Sequence, residues 1–353
     1  MRTTLLAPRR AVERMAPYSP PTAGRAGKLR LDFNENTVGC SPRVLAALKR
    51  LVSRETLAVY PEYGDARTRI SDFFGVRPEE LLFTNGTDEA IQVLINTYVD
   101  GGDRVVVLDP SYAMYRFYAE LAGAEVVKTP YRAGDLAFPL EELLEAITPA
   151  TRAVLIANPN NPTGTAIDGA GLRRILERAA QAAVLVDEAY FEFHGVTALP
   201  FRAEFPNLFV SRTFSKVYGM AGLRLGCLFS QAENIAWLHK AQSPYSVNAL
   251  AVLCAAEAVQ DREYIDAYVR EALESRRLLC RALDRRKIPY YASAGNFVLA
   301  RFGDRSCAVR DGLRERGVLV RDRGHEIAGT LRITVGKKAQ LRKFLAALRE
   351  VLR

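Results

Sequence analysis

A chain of 353 residues with 49% hydrophobic and 25% charged residues has the make-up of a folded globular protein, long enough for roughly two domains with sizeable cores. No apolar run approaches the ~20 residues that a spanning helix needs, and Leu5-Leu6-Ala7 after Arg2 is too short for a signal-peptide core, so a cytoplasmic protein that does not enter membranes is expected. The net charge of +9 is spread along helices where bases alternate with acids, as in Glu271 to Arg286; that pattern marks solvated faces rather than a nucleic-acid tract and favours small anionic substrates.

Residues 1–28 are rich in Pro, Gly and Arg, include Pro20-Pro21, and read as an extended arm in which Tyr18 is the residue of interest. Leu29 to Phe33 is a short strand candidate. Ser41-Pro42 then supplies an N-cap with proline at the first helical position, and Val44, Leu45, Leu48 and Leu51 are expected to form the buried stripe. Tyr60 to Gly64 is a turn or loop. From Leu81 onward strand, loop and helix alternate. Leu81 to Thr84, Arg104 to Leu108, Glu125 to Lys128, Ala153 to Ala157, Ala183 to Val186 and Leu208 to Val210 are short apolar runs. Helical stretches lie between them, such as the one after Asn85-Gly86 with Ile91, Leu94 and Ile95 inward, and Leu172 to Ala180. Continuous β-branched runs alternating with helices predict an α/β fold with a mostly parallel sheet covered on both faces.

After about Ser243 the pattern changes. Two helices, Ser246 to Val259 and Arg262 to Arg286, precede strand candidates at Asn296 to Arg301, Leu319 to Arg321 and Leu331 to Val335. A last helix follows with Leu341, Phe344, Leu345, Leu348 and Leu352 on one face. Residues 29–245 are therefore assigned to a large domain, its first residues partly packing on a smaller α+β domain of residues 246–353. Cys40, Cys227, Cys254, Cys280 and Cys307 are scattered, odd in number and never in CxxC spacing. They form neither a disulfide framework nor a metal site on this reading, and most are expected to be buried.

Ligands of open parallel sheets sit beyond the carboxyl ends of the strands, and the distinctive polar residues fall there. Asn85-Gly86-Thr87-Asp88 opens a helix whose amides can meet a phosphate. Asp109-Pro110-Ser111-Tyr112 can project Tyr112 as a stacking ring. Asn158 to Gly164 is a loop stiffened by two X-Pro bonds and carries Asn161. Asp187 ends an aliphatic strand, where a buried carboxylate calls for a cationic partner such as a protonated pyridine. Ser211 to Arg224 places Lys216 between Thr213, Ser215 and Arg224: hydroxyls and an arginine for a phosphate dianion, and an amine able to form a Schiff base when neutral. Together these residues describe a pocket for pyridoxal 5′-phosphate. Lys216 joins the cofactor, Asp187 keeps its ring nitrogen protonated, Asn161 and Tyr190 meet the ring oxygen, Tyr112 stacks, and Thr87, Asp88, Thr213, Ser215 and Arg224 hold the phosphate.

The same motifs carry a family resemblance. Leu31 to Asn36, Tyr60-Pro61, Asn85 to Ile91, Asn161 to Gly164, Asp187 to Tyr190, Thr213 to Lys216, Ala221 to Arg224 and Leu331 to Gly336 stand in the order found in fold-type I pyridoxal-phosphate aminotransferases. Among these the chain most resembles the histidinol-phosphate aminotransferases. The resemblance implies a seven-stranded, mostly parallel sheet and ping-pong transamination between a small-molecule amino donor and a 2-oxo acid, with histidinol phosphate and 2-oxoglutarate the expected pair. It also implies a homodimer in which Tyr60 reaches the neighbouring subunit's cofactor phosphate, and substrate contacts from Tyr18, Asn161, Arg321 and Arg332. Thr87 departs from the family's usual alanine or serine, and the stretch between Arg321 and Arg332 is short. Tyr245 to Leu250 resembles threonine-phosphate decarboxylases, so that reaction and transamination of aromatic amino acids stay open as alternatives. A nicotinamide dehydrogenase lacks its GxGxxG, and a DNA-binding regulator lacks room for its helix-turn-helix in the arm.

Overall fold

The computed structural model describes residues 6–18 and 21–353; Arg2, Leu5 and Pro20 of the expected arm lie outside them. The strands are β1 (Leu29–Leu31), β2 (Leu81–Thr84), β3 (Arg104–Asp109), β4 (Glu125–Pro130), β5 (Thr151–Ala157), β6 (Ala183–Asp187), β7 (Leu208–Thr213), β8 (Gly226–Phe229), β9 (Tyr290–Tyr291), β10 (Phe297–Arg301), β11 (Val318–Asp322) and β12 (Thr330–Thr334). Seven of them form one sheet in the order β2-β8-β7-β6-β5-β3-β4, and five form a second in the order β1-β11-β12-β10-β9. In the larger sheet β8 runs antiparallel to both its neighbours, while β7, β6, β5, β3 and β4 are parallel.

The aliphatic runs form this sheet because both of its faces are covered. Alternate residues enter separate cores: Val106, Val154, Val184 and Val210 on one side, Val105, Leu155, Leu185 and Phe209 on the other. Each such side chain contributes about 1.5–3 kcal/mol on burial. The helix Gly86–Tyr98 closes the second side with Ala90, Ile91, Leu94 and Ile95. A third core, with Val298, Ile333, Phe344 and Leu348, lies under the smaller sheet and the final helix Lys338–Val351.

Several expectations are corrected. Leu45 is exposed, because the helix Pro42–Leu51 buries Val44 and Ala47 with Leu48 and Leu51 alongside, and position 45 lies about 100° round from 44. The arm is not extended throughout: Arg10–Arg14 forms a short helix without buried residues, tethered where Arg9 Nη2 donates to the Leu121 carbonyl at 2.7 Å. Only Cys227 and Cys254 are buried among the cysteines, and Cys307 is exposed. The strand read at Leu29 to Phe33 spans Leu29–Leu31 and pairs parallel with β11, as an edge of the smaller sheet.

Candidate active site

The carboxyl ends of β5, β6 and β7 lie side by side, with Ala157 opposite Asp187 and Asp187 opposite Ser211. Because β7 and β8 are antiparallel, the loop joining them stays at that same edge and carries Lys216 and Arg224 there. The helix Gly86–Tyr98 starts from the end of β2, also at this edge. The result is a cavity of about 170 Å³, lined by Thr87, Asp88, Tyr112, Asn161, Asp187, Tyr190, Thr213, Ser215, Lys216 and Arg224. Ten of the expected site residues thus meet in one place.

Asp187 is 4% exposed, and its two side-chain partners are neutral: Tyr115 Oη donates to Oδ2 at 2.8 Å and Ser211 Oγ to Oδ1 at 2.9 Å. Burial raises its pKa from 3.8 to about 6, against the lowering effect of these two bonds. Neither Tyr115 nor Ser211 was singled out from the sequence. Tyr115 lies one helical turn beyond Tyr112, and that i, i+3 spacing was its available signal. Ser211 opens the Ser211 to Arg224 stretch, where the sequence alone gives it no role.

At the other end, Arg224 adopts φ 56° and lies across Gly86. A Cβ at Gly86 would come within 2.5 Å of Arg224 Nη2, so glycine leaves the space that the guanidinium takes. Arg224 Nη2 pairs with Asp88 Oδ2 at 3.3 Å and Nη1 approaches Ser215 Oγ at 3.5 Å. Tyr112 Oη donates to Asp88 Oδ1 at 2.6 Å, which fixes its ring over the cavity wall. Lys216 Nζ donates to the Phe33 carbonyl at 3.0 Å.

Beside this cavity is a second of about 420 Å³, sharing Tyr112 and Tyr115 and lined by Tyr18, Arg321, Arg323 and Glu326. Arg321 and Arg332 stand directly opposite each other on β11 and β12. Arg332 is 4% exposed; its Nη1 donates to Asn161 Oδ1 and its Nη2 to the Asp32 carbonyl at 2.6 Å. Burial first, then the charges of Arg323 and Arg321, lower its pKa to about 10, so it remains cationic at neutral pH. Tyr60 is not part of either cavity: it is 73% exposed and stacks on Tyr245 with ring centroids 4.5 Å apart. Asn248, in the segment that resembles decarboxylases, caps a helix by accepting from Ala251 N at 2.8 Å.

Residues 26–348 match the family model "Aminotransferase class I and II". The chain belongs to that family. This aminotransferase is 39% identical to histidinol-phosphate aminotransferase of Symbiobacterium thermophilum, across 98% of each chain. It is 35% identical to the enzyme of that name from Caldanaerobacter subterraneus, across 92% and 93% of the two chains. The crystal structure of histidinol-phosphate aminotransferase from Sinorhizobium meliloti, described in complex with pyridoxal-5′-phosphate, superposes with a TM-score of 0.89 at 26% identity over 99% of both chains.

The aminotransferase uses pyridoxal 5′-phosphate, and its residues fit that group. A buried carboxylate whose side-chain donors among the described residues, Tyr115 and Ser211, are neutral suits a ring cation. Thr87, at the start of the helix Gly86–Tyr98, lines the cavity with Thr213, Ser215 and Arg224, a set of donors that suits a phosphate dianion.

Proposed function

We propose that this aminotransferase moves the amino group of histidinol phosphate to 2-oxoglutarate, forming imidazole acetol phosphate and glutamate, a step of histidine biosynthesis. The observation that carries the substrate class is the Arg321–Arg332 pair. Two like charges in direct register across adjacent strands repel each other. Their juxtaposition beside the cofactor cavity makes sense for an anion that both can bind: a phosphate in one half-reaction and a carboxylate in the other. The names carried by its relatives point to the same substrate.

When bound, pyridoxal phosphate supplies an electron-withdrawing ring that acidifies the substrate Cα and carries the amino group between the half-reactions. The roles we assign to the chain's own residues are these. Lys216 holds the cofactor through its amine and, once displaced by the donor's amine, moves the Cα proton. Asp187, ionised, holds the ring nitrogen in its charged form. Tyr190 and Asn161 bind the ring oxygen, Tyr112 covers the ring face, and Gly86, Thr87, Asp88, Thr213, Ser215 and Arg224 form the phosphate cup. Tyr18, Asn161, Arg321 and Arg332 orient the substrate and exclude water from its anion. Tyr60, exposed in a single chain, is assigned to the phosphate cup of a second copy, which makes the working form a homodimer. Residues 29–245 and 246–353 act as its large and small domains. Its free cysteines suit a reducing compartment, the cytoplasm.

The test is to purify the protein, record the cofactor's visible spectrum and add amino donors singly. Histidinol phosphate is expected to bleach the band and 2-oxoglutarate to restore it. A spectrum indifferent to histidinol phosphate but responsive to an aromatic amino acid would overturn the substrate. Carbon dioxide in place of keto product would assign the protein to the decarboxylases.

A further inference from the structure

We propose that Asn34 is a positioning residue for the transamination: its side-chain amide fixes Tyr190 as a hydrogen-bond donor toward the cofactor's ring oxygen. This rests on the role of Tyr190 assigned above. Asn34 is fully buried and has φ 54°, in the left-handed region that asparagine tolerates better than most side chains. Its hydrogen bonds set one another's direction. The Asn34 backbone N–H donates to Thr334 Oγ1 at 3.1 Å, which leaves the hydroxyl proton of Thr334 to be donated to Asn34 Oδ1 at 2.9 Å. With Oδ1 engaged as an acceptor, the amide Nδ2 is turned to Tyr190 Oη and donates to it at 3.0 Å. A flipped amide would set a second donor against Thr334 Oγ1 and strand that hydroxyl's proton where Thr334 is 1% exposed.

A phenol has one proton to give. Since Asn34 supplies the proton of their shared bond, Tyr190 keeps its own for another acceptor, and Tyr190 lines the cavity with Lys216, Asn161 and Asp187. The Asn34 carbonyl is itself held by Asn296 Nδ2 at 3.2 Å, so the residue is fixed from both ends. Thr334 lies two positions beyond Arg332 on β12, and the two side chains therefore leave that strand on the same side. The strand that presents the anion-binding arginine also seats the residue that aims Tyr190.

The test is spectroscopic and uses the holoenzyme. A donor to the ring oxygen stabilises its negative charge and keeps the pH midpoint of the bound cofactor's visible absorbance low. Asn34→Asp is close in shape and tolerates the backbone, but offers an acceptor, so Tyr190 turns its proton toward residue 34. The midpoint is expected to rise by about one pH unit or more. In a Tyr190→Phe background the same substitution is expected to move it less than half as far, the remainder being the carboxylate's charge alone. Thr334→Val, which adds no charge and frees the amide to flip, is expected to raise the midpoint in the same sense and carries the test if Asn34→Asp does not fold. An unmoved midpoint in Asn34→Asp or Thr334→Val overturns the proposal, as do equal Asn34→Asp shifts in both backgrounds. Tyr190→Phe alone at the wild-type midpoint would instead refute the role given to Tyr190.

Discussion

Lys216 and Asp187 approach the same cavity from neighbouring strand ends, and each makes a separable prediction. Lys216→Ala removes the amine that holds the cofactor and moves the proton; turnover is expected to fall by at least ~10³-fold. The thermal melting of the cofactor-free protein should stay near wild type, because the polar contacts of Lys216 among the described residues are one bond to the Phe33 carbonyl and a distant approach to the Tyr190 ring. Asp187 links pH to stability. In the cofactor-free protein its pKa is raised from 3.8 to about 6, so between those values the folded chain keeps a proton that the unfolded chain has released. Stability is then full below pH ~4, falls as pH rises through the window to about 6 and levels off above it, by roughly 1–3 kcal/mol for this group. Denaturant titration at pH 4.5 and 7.5 measures the fall, and Asp187→Asn should flatten it. Cofactor affinity should run the other way, weakening below about pH 6 as Asp187 takes up a proton and loses its attraction for a cation.

Elements set the other half of the site through their directions and registers. The helix Gly86–Tyr98, whose first amides can meet a phosphate, begins at Gly86, which has φ 74° and packs against the Arg224 guanidinium. Gly86→Ala both strains that backbone and collides with the guanidinium. Cofactor affinity, titrated into the cofactor-free enzyme, is expected to fall about tenfold or more, with roughly 1 kcal/mol lost in stability. The β11–β12 pair makes the opposite kind of trade. Arg321→Gln relieves a cross-strand repulsion, so stability should hold or rise slightly while KM for the phosphorylated donor rises about tenfold or more. A variant that loses stability and leaves KM unchanged would mean Arg321 serves the sheet rather than the substrate.

The proposed homodimer is tested at the scale of the whole molecule. Tyr60 and Tyr245 expose a stacked aromatic pair, and Leu57 and Val59 beside Tyr60 are 65% and 60% exposed. Such apolar surface suits a subunit interface. If Tyr60 completes the partner's phosphate cup, Tyr60→Ala chains and Lys216→Ala chains, each poorly active alone, should regain activity when refolded together. One site per mixed dimer would then be whole, giving roughly a quarter of wild-type activity at statistical mixing. No recovery, in a protein that sedimentation shows to be dimeric, would place Tyr60 outside the site.

Much of this molecule was legible in its sequence because the physics involved is local. A strand buried on both faces must be aliphatic throughout, so the parallel strands announce themselves, and a carboxylate ending one of them stands out as Asp187 does. A lysine among hydroxyls before an arginine needs no partner to be noticed. What the residues alone did not reveal depends on encounters between distant segments. The reversed direction of β8, Tyr115 and Ser211 as donors to Asp187, the register setting Arg321 against Arg332, and the route from Thr334 through Asn34 to Tyr190 are all of this kind. Leu45 makes the same point in reverse: its hydrophobicity matched the buried stripe, and only the helix's docking turned it outward. Local composition determined the cofactor chemistry; the orientation of each hydrogen bond and the facing of two cations were decided by tertiary packing, because no residue carries the direction of its partner.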